Sequence, residues 1–264
     1  MNRRLQLAGV WAGPAFVVLY GLAFVAIARF IPPPAPSWDA AHIDHIFADR
    51  AIPIRIGMVL SLIFATLLFP FFGVISVQIA RIERGGRMLA IMQYGAAVLL
   101  IAFFELCSML WVTATFRSEL DPAVTRMLSD FGWLSFVMVF PGYVLQLSCI
   151  GIAALMDRSP DPVWPRWVAY LNFWCGLGGA GGALAVFFKD GPFAWNGLVG
   201  FYIPVGMFLI WISVMAYYTH TGINRQFANS EQLEPAERVV ERKTGAGATE
   251  RISSEYQRLD GDPV

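Results

Sequence analysis

Long apolar runs alternate with short polar connections along most of the chain. About 20 apolar residues in an α-helix cross the roughly 30 Å hydrocarbon core of a bilayer. Six runs reach this length, near residues 7–30, 52–80, 88–116, 131–156, 167–188 and 195–219. The pattern predicts an all-α polytopic membrane protein, with a six-helix transmembrane domain over residues 1–221 and a polar, largely disordered tail over residues 222–264.

Composition agrees with a chain whose main solvent is lipid. Hydrophobic residues make up 57% of the sequence and charged residues 14%, whereas soluble domains carry about 25% charged residues. The 19 basic and 19 acidic residues leave no net charge, so no basic surface is expected for the phosphates of a nucleic acid. The expected partner is the lipid bilayer, and nucleic acid is excluded.

Basic residues predict the orientation of the helices. The connections on the side of the N-terminus and the tail hold eight arginines, against five arginines and one lysine on the other side. The positive-inside rule therefore predicts cytoplasmic N- and C-termini in a plasma membrane of the bacterial inner-membrane type. The first run resembles a cleaved signal, but about two dozen residues exceed an h-region of about 7–15 and favour an uncleaved helix. Cleavage would leave five spans.

The first outer loop predicts a short amphipathic helix on the outer surface of the membrane. Ser37 is placed to cap a helix over residues 38–50, on which His42, His45 and Asp49 share one face. Two histidines and a carboxylate at this spacing form a weak zinc or copper candidate. An amphipathic surface helix explains the same residues without a metal, so neither metal nor cofactor is predicted.

Glu105 lies within the third apolar run, where a carboxylate costs a few kcal/mol and usually faces a bundle interior or a cavity. We expect it to be protonated or held by neutral donors, and to serve as a proton donor or acceptor beside a pocket for an apolar molecule. The expected polar neighbours are Tyr94 and Ser108 on the same helix, and Tyr143, Gln146, Asn172 and Tyr202 on later helices.

Prolines and glycines indicate how the helices depart from regular geometry. Pro70, Pro141 and Pro204 each lie inside an apolar run and predict a kink, which favours a cavity. Gly178 and Gly182 form a small-xxx-small pair, which predicts close approach of another helix of this chain or of a second protomer. The surrounding glycines also fit a dinucleotide fingerprint, but no strand precedes them, which excludes that reading.

Three functions remain open. The first is an enzyme such as an isomerase or cyclase that acts on a lipid-like substrate. The second is a carrier or sensor coupled to protonation of Glu105. The third is a non-catalytic accessory or assembly subunit of a membrane complex. The absence of histidine within the apolar runs excludes a bis-histidine haem held mid-membrane.

Overall fold

The computed structural model describes residues 2–82, 86–117 and 119–229. These ranges contain helices and no strand, which confirms the all-α class. By its internal contacts the chain divides into two units, and the first of them ends at residue 222. In the second unit, residues 223–229 end the last helix. The predicted disordered tail lies outside the described residues from residue 230 onward.

Nine helices in the described ranges build the fold, and three shorter segments of unusual helical pitch interrupt or extend them. The helices are α1 (Arg3–Gly21), α2 (Ala40–Asp49), α3 (Ala51–Ala65), α4 (Leu68–Ala80), α5 (Gly86–Ala114), α6 (Pro122–Met138), α7 (Phe140–Met156), α8 (Arg166–Gly179) and α9 (Leu198–Asn229). The shorter segments are a π-helix (Leu22–Ile27) after α1, a 3-10 helix (Ala180–Phe187) after α8, and a π-helical first turn of α9 (Leu198–Tyr202).

Within the described residues, five helical segments are long and apolar enough to cross a membrane. They are Arg3–Ile27, Ala51–Ala80, Gly86–Ala114, Pro122–Met156 and Leu198–Asn229. The multi-pass class is therefore confirmed, but the predicted count of six long helices is wrong. The missing helix is the fifth predicted span, residues 167–188.

Glycine explains that difference. The α-helical part of this segment, α8, has 14 residues and a length of about 21 Å, too short for a roughly 30 Å core. Its final glycine, Gly179, is followed by Gly181 and Gly182, and glycine weakens an α-helix by up to about 1 kcal/mol per residue. The chain continues as an eight-residue 3-10 helix, with a larger rise per residue. Together the two segments run between the ends of the bundle marked by Trp164, which bonds to Thr219, and Trp195, which bonds to Pro34.

The fourth span begins nine residues earlier than the sequence pattern suggested, at Pro122 instead of Phe131. Asp121 caps this helix, since its Oδ1 accepts a hydrogen bond from the backbone N–H of Ala123 at 2.7 Å, and Pro122 is well suited to the first helical position. Hydropathy alone does not show that α6 begins here, because residues 122–130 include a threonine, an arginine, a serine and an aspartate.

Helix α2 lies against the protein. Asp39, rather than the predicted Ser37, caps it by accepting from the backbone N–H of His42 at 2.8 Å. The apolar side chains of Ile43 and Phe47 are buried, and Asp44 accepts a hydrogen bond from Thr125 of α6 at 2.8 Å. The apolar face of this amphipathic helix is therefore covered by the bundle, not by lipid as predicted.

We call the end of the bundle where α1 begins the near end, and the end that carries α2 the far end. Near-end helices are joined by polar side chains: Gln78 donates to Gln6 at 2.6 Å and accepts from Arg81 at 2.6 Å. Partial burial lowers the pKa of the Arg81 guanidinium, while the negative charges of Asp157 and Asp161 act in the opposite direction. Arginine stays charged at any physiological pH, so this contact does not depend on pH.

Candidate functional site

A cavity of about 240 Å³ lies inside the far half of the bundle. Its wall comes from α1, α5, the α6–α7 junction, the end of α8 and the start of α9. Nine aromatic rings supply much of the wall: Phe16, Tyr20, Phe24, Phe104, Phe136, Phe140, Tyr143, Phe201 and Phe208. No residue that lines this cavity carries a charge. The site is suited to an apolar molecule.

Four interruptions of regular helix meet at the cavity. Phe24 belongs to the π-helix after α1, Val139 joins α6 to α7, Gly179 is the last residue of α8, and Gly200 belongs to the π-helical turn of α9. A π-helical turn widens a helix, and a break separates the axes of the segments on either side. The space therefore exists because the helices around it are irregular at the same level. Broken helices of this kind build binding sites in many membrane transporters.

Two of the predicted proline kinks explain two of the interruptions. Pro141 cannot donate to the carbonyl of Val137, and the helix breaks between them at Val139. Pro204 follows the π-helical turn that ends at Tyr202. Pro70, the third, follows the break between α3 and α4, away from the cavity.

Gly178 and Gly182 lie where other helices of the same chain pack closely against them. A Cβ atom on Gly182 would collide with the carbonyl oxygen of Val137, and one on Gly178 would collide with Met207 of α9. The intrachain alternative for this small-xxx-small pair is therefore the one that the structure contains. Gly182 lets the 3-10 segment approach the carbonyl that Pro141 leaves without its helical donor.

Ring contacts make the cavity wall continuous. Tyr20 lies 5.5 Å from Phe104 between ring centroids, and Phe104 lies 6.0 Å from Phe208, which lies 5.8 Å from Tyr143. Phe24 stacks on Phe136 at 5.5 Å. Such pairs contribute about 0.5–1.5 kcal/mol each beyond their buried area, so the wall is a stable part of the core.

Two tyrosine hydroxyls are the polar side-chain atoms of the lining. The Tyr143 hydroxyl is buried and makes no hydrogen bond with the described residues. The Tyr20 hydroxyl lies beside Ser108 without a hydrogen bond of ordinary geometry, and Ser108 itself donates to the carbonyl of Phe104 at 2.9 Å. A buried hydroxyl without a partner costs about 1–3 kcal/mol. Tyr143 is therefore the clearer candidate to donate to a bound molecule.

Glu105 does not line the cavity. It follows Phe104 on α5 and points about 100° around the helix from that ring. Its side chain is half-buried, between the buried Ile101 and Ser108 and the exposed Met109. It forms no hydrogen bond or ion pair with the part of the chain that the structure describes. Its role as a proton donor or acceptor stays a prediction.

The other predicted site residues do not form one site with Glu105, although Ser108 lies one turn from it on the same helix. Tyr143 lines the cavity, whereas Tyr94, Ser108, Gln146, Asn172 and Tyr202 do not. Asn172 donates to the Val168 carbonyl at 2.7 Å and accepts from Trp211 at 2.8 Å, which makes it part of the core.

The remaining members of that group lie in different surroundings. Gln146 is fully buried, and its amide has no partner among the described residues. Tyr94 is half-buried near Gly73 of α4. Tyr202 is 41% exposed and packs edge-on against Phe201. The predicted set therefore spreads over several helix interfaces.

In the described residues, no further side chain joins the weak metal candidate on α2 as a ligand. His42, His45 and Asp49 are exposed, and His42 packs edge-on against Trp38 with ring centroids 4.5 Å apart. Among the described residues, no group of three or more histidine, cysteine, aspartate or glutamate side chains could hold a metal ion.

No protein-family model, curated protein or solved structure matches this chain. The site must therefore be interpreted from its own geometry.

The sequence interpretation missed the aromatic residues of α1. Phe16, Tyr20 and Phe24 follow one another at intervals of four and share one face of a helix. All three line the cavity. Their regular spacing along one helix face was the signal that the sequence contains.

Proposed function

We propose that this is an integral membrane protein that binds a lipid-like, apolar small molecule in the cavity at its helix interruptions. The observation that carries the proposal is an uncharged, aromatic cavity of about 240 Å³ inside the bundle. An apolar cavity of about 150 Å³ in a soluble protein is large enough for benzene. The larger space here suits a ring system or a segment of a hydrocarbon chain.

The proposal includes a location. The excess of arginine on the near side favours cytoplasmic termini in a plasma membrane of the bacterial inner-membrane type. With that orientation, the cavity lies in the outer half of the bilayer. Tyr143 supplies a hydrogen-bond donor to the bound molecule.

Gly21 offers a way to fill the cavity without disturbing its wall. It lines the cavity, and a Cβ atom there would meet nothing within 4 Å. Gly95 of α5 is the control, because it is also a helical glycine at which an added Cβ atom would meet nothing within 4 Å, and it lies outside the cavity. Leucine should favour the helix by up to about 1 kcal/mol at either position.

The test is mass spectrometry of small molecules that co-purify with the wild type, Gly21→Leu and Gly95→Leu. We expect an apolar compound in the wild type and Gly95→Leu, and at least a tenfold lower amount in Gly21→Leu. Equal thermal unfolding of the two variants would show that the loss comes from filled space. The same compound at equal levels in all three proteins, or none in any, would contradict the proposal.

Glu105 as a proton donor or acceptor is a separate prediction, on which the binding proposal does not depend. An isomerase or cyclase would need the carboxyl group to reach its substrate, and a proton-linked carrier would need Glu105 to respond to occupancy of the cavity. Binding would favour either over an accessory subunit without a ligand.

A further inference from the structure

The far end of the cavity is closed by fully packed aromatic rings. Phe30 lies 5.5 Å from Phe24, a lining residue, and 5.5 Å from Trp133, which lies 4.9 Å from Trp111. None of these four rings is more than 4% exposed. Above them, Trp195 donates to the carbonyl of Pro34 at 2.9 Å and fixes the outer loops. These rings and the outer loops cover that end of the cavity, beside the half-buried lining residue Ile31.

The near end is closed in the same way. Trp211 stacks on Phe208, a lining residue, at 6.2 Å, and packs against Phe71 at 6.1 Å. Trp211 and Phe71 are fully buried. The hydrogen bond from Trp211 to Asn172 holds the indole in place. The cavity is therefore also sealed toward the cytoplasmic side of the proposed orientation.

The most exposed lining residues lie at the side of the bundle. Val25, after α1, is 48% exposed and Leu209 of α9 is 39% exposed, and both line the cavity. Val17 and Gly21, also lining residues, are half-exposed on α1, as is Val205 on α9. Phe16 and Phe208, whose rings are 6.3 Å apart, connect the two helices below this rim. We call the opening between these residues the lateral portal.

We infer that the ligand enters from the bilayer through the lateral portal, as a neutral lipid whose hydrocarbon chain carries an oxygen atom that accepts a hydrogen bond from Tyr143. This inference rests on the proposed function, because it specifies the ligand of the same cavity. The rim residues are apolar and lie within membrane-spanning segments. A hydrocarbon chain can therefore pass between them without leaving an apolar environment.

The lining determines the chemical class of the ligand. A charged group in the cavity would lose its hydration and meet no opposite charge, which is strongly unfavourable. A neutral carbonyl, ether or hydroxyl oxygen would satisfy the buried Tyr143 hydroxyl. Such a chain can come from a free neutral lipid or from one chain of a bilayer phospholipid, whose ester oxygens have the same chemistry.

Ligand exchange tests the portal. Val17→Cys and Leu209→Cys place one thiol on each rim, while the native Cys107, Cys149 and Cys175 are buried. The purified double variant in lipid nanodiscs is loaded with a deuterated long-chain methyl ketone, then bridged with a cleavable bifunctional thiol reagent. Native mass spectrometry then measures the rate at which unlabelled ketone replaces the bound deuterated ketone.

We expect bridging to slow exchange at least tenfold and reduction to restore it. A control pair on the exposed face of α5, Val98→Cys and Ala102→Cys, should exchange at the same rate before and after bridging. Exchange through the bridged rim at the unbridged rate would overturn the portal while leaving binding, and hence the proposed function, intact. No binding of the ketone to any unbridged protein would overturn both.

A series of probes tests the ligand class. The ketone should bind about three- to tenfold more tightly than the matched alkane, and Tyr143→Phe should remove this preference. The control Tyr170→Phe, an exposed tyrosine of α8, should keep it. Binding of a matched alkyltrimethylammonium as tight as that of the ketone would overturn the neutral class. Phospholipid that the ketone cannot displace would show that a bilayer lipid chain occupies the cavity, and would overturn a free neutral lipid as ligand.

Discussion

The near and far halves of the bundle differ in what they bury between their helices. In the near half, three pairs of polar side chains bond to each other: Gln78 to Gln6, Trp211 to Asn172, and Trp164 to Thr219. The buried Gln146 amide is an exception, with no partner among the described residues. The far half is aromatic and its helices are interrupted. It encloses a cavity with the hydroxyl group of Tyr143, which has no partner in the described part of the chain. The comparison indicates that the near half holds the bundle together while the far half is shaped to receive a ligand.

The largest expected effect comes from preventing the close contact between Gly182 and the carbonyl of Val137, beside the cavity wall. Gly182→Val places a branched side chain against the carbonyl of Val137, a backbone atom that cannot rotate away. We expect a loss of about 3 kcal/mol in the free energy of unfolding, seen as a lower thermal midpoint in detergent. Gly95→Val, at an open position, controls for the change of residue type. If both variants unfold at the same temperature, the close approach does not support the wall.

Breaking the near-half polar core should cost somewhat less. Asn172→Leu removes the acceptor of the Trp211 indole and leaves that donor buried. We expect a loss of about 2 kcal/mol, measured by the same thermal unfolding. Ser213→Ala is the control, because Ser213 is exposed and bonds to a carbonyl of its own helix. An unchanged midpoint for Asn172→Leu would contradict the view that paired polar groups stabilise this half.

Two hydroxyl deletions sharpen the comparison directly. Thr219→Val removes an acceptor that Trp164 uses at 3.1 Å, so it should destabilise the protein by about 1 kcal/mol. Tyr143→Phe removes a buried hydroxyl without a protein partner, so it should stabilise the ligand-free protein by about 1 kcal/mol. Added ligand should reverse the ranking of wild type and Tyr143→Phe. Destabilisation of both ligand-free variants to the same extent would remove the distinction between the halves.

The smallest expected effect is at Glu105. The cavity is lined without this carboxyl group, so Glu105→Gln should keep the co-purifying molecule at the wild-type level. Mass spectrometry of the two purified proteins provides the measurement, with Gly21→Leu as the variant that loses it. Loss of the molecule from Glu105→Gln would give the carboxyl group a role in binding that the geometry does not explain.

Hydropathy was enough to predict the class of the fold and three of the long spans to within a few residues. It could not distinguish α8 from a regular span, because apolar composition says nothing about the glycines that turn the helix into a 3-10 segment at Ala180. The continuity between the helix start at Pro122 and the fourth span was missed because the first turns of α6 are polar. Polar helix caps, rather than hydropathy, mark that boundary.

The candidate site was harder to predict, for a physical reason. In a membrane helix, residues that face lipid and residues that face the core are both apolar, so periodicity does not show which face lines a cavity. Tyr143 was found because it is polar, whereas Phe136 and Phe140 look like any other apolar residue. Glu105 was selected because it is charged, and charge alone does not fix the direction in which a side chain points.

The most direct test of the central claim is a high-resolution cryo-electron microscopy map of the wild-type protein in lipid nanodiscs. We predict elongated, non-protein density among Phe16, Phe104 and Phe208, reaching Tyr143 and continuous with the bilayer between α1 and α9. A map in which these side chains close the space, or in which the density is that of ordered water alone, would contradict a binding site for an apolar molecule.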